Sequence, residues 1–150
     1  GAPVRARRLR LSPLVIGATL HVQDSLLAGR SRFYAEITRL RRLVDLVKGP
    51  TPLLFLFDEL FHGTNSHDRV EGASGILHFF LDYRAIGLVT THDLALAGIA
   101  VRLVSKATNM HFEDQFIDGE MTFDYHLRSG RATRSNALAL MTAVGLDVSR

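Results

Sequence analysis

The chain has 150 residues, 47% of them apolar, enough to bury one core and too apolar for a disordered segment. It has no cysteine, which excludes disulfides, thiolate metal sites and a cysteine nucleophile and leads us to expect a cytoplasmic setting; no apolar run nears the roughly 20 residues of a membrane span. The net charge of +3 is unevenly spread: residues 1–50 hold ten Lys/Arg against three Asp/Glu, residues 51–100 hold two against six, and residues 101–150 hold six against six.

Residues 1–12, rich in arginine, read as an irregular lead-in or an edge strand. Leu14 to Leu20, with β-branched Val15, Ile16 and Thr19, fits a strand. Residues 21–30 read as a loop closed by Gly29. Ser31 then caps a helix whose apolar stripe is Phe33, Ile37, Leu40, Val44 and Val47, and Gly49-Pro50 ends it. Residues 52–57 are continuously apolar, the pattern of a strand buried on both faces of a parallel sheet. A second helix is expected over residues 66–84, with Val70, Ile76, Leu77, Phe80 and Leu81 inward, then a buried strand over 86–90 and a short helix over 93–99. Segments 108–113 and 120–126 flank Asp118-Gly119, a hairpin signal, and residues 136–144 form a last short helix stopped by Gly145. Strand and helix alternation predicts an α/β fold with a mainly parallel sheet, right-handed crossovers and helices on both faces, followed by a β-hairpin and a short helix.

Ligands of such sheets bind at the carboxyl ends of the strands. Two predicted strands end in chemistry-bearing residues: Asp58-Glu59 after the first apolar run, and Thr91-His92 after residues 86–90. An apolar strand followed by paired carboxylates is the Walker B arrangement. The first carboxylate suits magnesium, an oxygen-seeking ion, and the second can take a proton from an attacking water. A histidine at the neighbouring strand end can bond a phosphate oxygen or that water, although a lone histidine is more often a structural one, its ring being satisfied by one backbone partner. Gly63, Thr64 and Asn65 read either as a turn and helix cap or as a loop reaching toward a second nucleotide site. Ser31, at a helix N-terminus, caps it or meets phosphate. The seven histidines show no zinc spacing, and no GxxxxGK[ST] phosphate loop occurs; Lys48 and Lys106 are the only lysines. The isolated chain is therefore expected to bind ATP weakly or not at all.

Taken together, the segments Asp24–Leu26, Ser31–Glu36, LFLFDELFHGTN over 54–65, TTHD over 90–93, Ala107–Phe112 and Ser135–Leu140 resemble the C-terminal ATPase domain of the MutS family, a branch of the ABC-type ATPases. The resemblance implies a three-layer P-loop NTPase-like fold, with residues 1–150 as the later portion of the domain, lacking the Walker A part. It implies ATP and Mg2+ as ligands, with Asp58 at the metal and Glu59 and His92 in catalysis. Ser31 would contact ATP held by a partner subunit, Gly63, Thr64 and Asn65 would form the D-loop, and Gln23 would lie near the Q-loop. It implies a homodimer through this domain, DNA contacted by regions outside the chain, no membrane contact, and hydrolysis that drives conformational change in DNA repair or recombination-type transactions. The family's common DEIGRGT reads Asp58-Glu59-Leu60-Phe61-His62-Gly63-Thr64 here, and its QSTF reads Arg30-Ser31-Arg32-Phe33, which fits a divergent MutS-related protein. The alternative is a non-catalytic module that binds DNA or a partner, or supports dimerisation, through the arginine-rich front.

Overall fold

The computed structural model describes residues 3–20, 32–103, 105–117, 120–132, 141 and 145–146. They fall into two compact units, Gly1–Leu96 and Ala97–Arg150. The expected loop over 21–30, the Ser31 cap and the expected helix over 136–144, apart from Met141, lie outside the described residues.

The first unit contains β1 (Val15–Thr19), α1 (Arg32–Val47), β2 (Leu53–Asp58), α2 (Ser66–Asp82), β3 (Ile86–Thr90) and the start of the short α3 (Leu94–Ala97). Residues 3–14 form no strand, so the basic front is an irregular lead-in. The strands make one parallel sheet in the order β1-β2-β3, with Gly17, Phe55 and Gly87 side by side across it. Those three residues and Phe57 share a face. The Leu43 side chain of α1 lies directly over Gly17, with Cδ2 2.6 Å from where a Cβ would stand. Phe80 of α2 packs on the same face, 5.6 Å from the Phe55 ring and 5.7 Å from Phe57.

Helices α1 and α2 therefore both cover one face of the sheet, and among the described residues the cover expected on both faces is seen on that one face. The reason is topological. Two successive right-handed crossovers that advance in one direction across a sheet lay their helices on the same side. The opposite face carries Ile16, Leu54, Leu56, Ile86 and Leu88, and Ile16 and Leu88 are 66% and 68% exposed. β2 alternates buried and half-buried positions, while β3 is largely exposed, so the expected second buried strand is an edge strand among the described residues.

The buried stripe of α1 is also rotated from the one expected. Glu36, Leu40, Leu43 and Val47 are buried, while Ile37 is 41% exposed. Leu43 must face Gly17, and that turns Ile37 and Val44 toward α2. There they line a shallow apolar groove of about 400 Å³ with Phe61, Gly72, Ile76 and Phe79. The inward residues of α2 are Ala73, Ser74, Leu77 and Phe80.

The second unit holds α4 (Ile99–Arg102), β4 (Met110–His111), β5 (Asp114–Ile117), β6 (Glu120–Phe123) and β7 (Arg128–Ser129). The expected helix over 93–99 is thus two single turns, α3 and α4, broken at Gly98. A hairpin does flank residues 118–119, but its first strand is β5, not 108–113; Met110 and His111 pair instead with Ser129 and Arg128. Gly145 has φ 86, and the Leu146 N–H bonds back to the Met141 carbonyl at 2.8 Å. Asp124 accepts from Arg128 at 2.6 Å, and that guanidinium holds its carboxyl well below the usual carboxylate range. No helix among the described residues is long and apolar enough to cross a membrane.

Candidate functional site

The apolar run of β2 fixes its register against β3 and places Asp58 opposite Thr90 at the carboxyl rim of the sheet. The Thr90 hydroxyl donates to Asp58 Oδ1, which orients the carboxylate. By alternation Asp58 points to the face away from the two helices, since Phe57 points toward them.

Directly after β2 the chain leaves extended geometry. Glu59 has φ 55 and Phe61 has φ 60, both in the left-handed region. Each such residue costs of order 1–2 kcal/mol, and local hydrogen bonds offset it. The Glu59 N–H bonds the Thr90 carbonyl at 3.2 Å, and the His62 N–H bonds the Glu59 carbonyl at 3.2 Å. The Phe61 N–H donates to Oε1 of buried Glu36 at 2.7 Å. Gly63 lies against the start of α1, where a Cβ would stand 3.3 Å from that of Phe33. The tight turn thus aims the Glu59 carboxylate along the rim rather than outward.

His92 meets it there. His92 Nδ1 lies 2.9 Å from Oε1 and 2.8 Å from Oε2 of Glu59. His92 is the more exposed partner, 67% against 31% for the Glu59 side chain. An imidazole in that position orients the carboxylate and leaves its own Nε2 without a partner among the described residues.

Behind the pair sits a brace. Arg69 of α2 donates Nη1 to Asp93 at 3.0 Å and Nη2 to the Thr64 carbonyl at 3.2 Å, with both charged side chains largely buried. It ties the loop after β2 to the loop after β3. Asn65 caps α2, accepting the Asp68 N–H at 2.9 Å and donating to the Asp68 carboxylate at 2.7 Å. Asp93 caps the following turn by accepting the Ala95 N–H at 2.8 Å, and Thr91 accepts the Asp93 N–H at 3.0 Å.

The structure therefore brings Asp58, Glu59 and His92 to one rim, and sets Gly63, Thr64 and Asn65 in the turn that leads into α2. Gln23 and Ser31 lie outside the described residues. Sequence reasoning missed Thr90, Glu36, Arg69 and His62. Glu36 had a signal, its place on a stripe with Leu40, Leu43 and Val47, and His62 had one in its place three residues after Glu59; Thr90 and Arg69 act on residues that only folding brings near.

The donors at Asp58 fit magnesium, being a carboxylate and a hydroxyl at a strand end, all oxygen.

The MutS domain V family matches residues 1–149. The chain is 33% identical over 127 residues to the DNA mismatch repair protein MutS 2 of Haloarcula marismortui, covering 84% of this chain and 13% of that protein. It is 30% identical over 126 residues to the DNA mismatch repair protein MutS of Streptococcus agalactiae serotype Ia, covering 83% and 14%. It is 32% identical over 145 residues to the DNA mismatch repair protein msh3 of Aspergillus oryzae, covering 92% and 13%. The chain thus spans about one seventh of the length of these relatives.

Proposed function

The chain belongs to the MutS family, and from that premise we propose that it forms the later part of an ATP-hydrolysing domain of three-layer, P-loop, ABC-type architecture. The observation that carries the proposal is the contact between Glu59 and His92 across neighbouring parallel strands, beside Asp58. A strand-end carboxylate held by an imidazole is equipped to orient a water and take its proton.

On this reading Asp58 helps hold Mg2+, whose chemistry is to neutralise charge on phosphate oxygens. Glu59 is the general base. His92 positions Glu59 through Nδ1 and offers Nε2 to the terminal phosphate. Ser31 and the Gly63–Asn65 turn of a second copy complete the site in a homodimer, and the lysine-bearing phosphate loop comes from outside these residues. Hydrolysis then changes the conformation of DNA-contacting regions beyond this chain, in DNA repair; the names of the mismatch repair relatives support that process.

The test uses the full-length protein. Glu59→Gln keeps the side chain's size and removes the base, so steady-state ATP hydrolysis should fall about 100-fold or more while ATP binding persists. Hydrolysis at the wild-type rate in that variant would overturn the proposal. No ATP hydrolysis by the wild-type full-length protein would instead favour the alternative, a non-catalytic binding module built on Arg5, Arg7, Arg8 and Arg10, all of which are exposed.

A further inference from the structure

One side chain at the rim has no part in the hydrolytic reading. His62 stands at the end of the left-handed turn, with Nδ1 3.8 Å from Glu59 Oε2 and its ring 5.6 Å from that of His92. Glu59, His62 and His92 each offer a donor atom, and these atoms lie within 4.8 Å of one another.

That set has the chemistry of a zinc-class site. Two imidazoles and one carboxylate are borderline donors that suit zinc, whereas magnesium selects oxygen and keeps its waters. Three ligands at about 2.1 Å around a tetrahedral ion stand about 3.4 Å apart, with the fourth position left for water. The donors of this trio already span that separation. The side chains are 31%, 43% and 67% exposed, so an ion can enter and each ring can turn by the ångström required. The backbone beneath them is fixed, because the Glu59 and His62 amides are both hydrogen-bonded. His62 stands where the DEIGRGT pattern has an arginine, which does not ligate a metal.

We infer that Glu59, His62 and His92 form a binding site for a divalent transition metal of the zinc class. Where the hydrolytic reading holds, such an ion occupies both the base and its positioning imidazole, and so acts as a brake on turnover.

The metal-free protein, without nucleotide and in excess Mg2+, is titrated with Zn2+ by calorimetry and with Co2+ by visible absorption. One zinc per chain is expected, with His62→Ala and His92→Ala each weakening it at least about tenfold and abolishing the cobalt bands. His62→Gln serves as a second variant, circular dichroism checks the fold, and His67→Ala on the exposed start of α2 should bind as the wild type does. No saturable binding overturns the inference. So does binding that His62→Ala leaves intact, or that is lost on His111→Ala instead. In the full-length protein, Zn2+ should suppress Mg-ATP turnover in the wild type and far less in His62→Ala. A full-length protein with no ATPase activity overturns the hydrolytic reading alone and leaves the zinc isotherm to decide the metal site.

Discussion

Glu36 has the most demanding position of any single residue near the rim. It is 5% exposed, and its carboxylate accepts the N–H of Phe61, a residue 6% exposed in a left-handed conformation. Glu36→Ala leaves that buried N–H without its acceptor, which should cost about 1–3 kcal/mol, read as a lower midpoint in urea unfolding. Glu36→Gln keeps an acceptor oxygen and should lose less than Glu36→Ala. An unchanged midpoint in the alanine variant would show that the turn after β2 does not lean on α1. The candidate residues legible in the sequence were those announced by local pattern: Asp58, Glu59 and His92 each follow an apolar run. Thr90 and Arg69 act across 32 and 24 residues, and nothing near them in the chain marks the partner they will meet.

At the scale of elements, the continuous apolar runs gave away β1, β2 and β3 because parallel strands need apolar side chains whichever face is covered. The same uniformity hid which face that was. The hairpin shows the complementary limit. Asp118-Gly119 marked the turn, but a two-residue connection sets Ile117 opposite Glu120, so the strand must run over 114–117 and the earlier segment finds a different partner in β7. Gly87 in β3 was not singled out at all. A Cβ there would lie 2.3 Å from the Phe55 ring, and that ring cannot retreat, since Phe57 stacks on it at 4.9 Å and Phe80 closes from its edge. Gly87→Ala therefore overpacks the sheet and should destabilise the protein by about 1–3 kcal/mol. Thermal unfolding checks this, and a wild-type transition temperature would mean that β3 can shift away from β2 without cost.

Over the molecule as a whole, the strand order decides how the site is presented. With α1 and α2 on one side, the other side of the sheet offers Ile16, Ile86 and Leu88 to water, flanked by half-buried Leu54 and Leu56. Asp58 and Thr90 stand at the carboxyl end of this same open face. An apolar sheet face bordered by an exposed strand is a template for association in any chain that leaves it in water. The isolated 150-residue chain should accordingly self-associate as its concentration rises. Leu88, 68% exposed at the centre of the edge strand, is the residue to change. Burying one leucine is worth about 1.5–3 kcal/mol, so Leu88→Lys should weaken association roughly tenfold or more, and the added charge opposes strand pairing at the edge. Sedimentation velocity across a concentration series measures it, with far-ultraviolet circular dichroism to show that the fold is kept. A wild-type chain that stays monomeric throughout, or a lysine variant that associates equally well, would mean that this face is not what brings copies together.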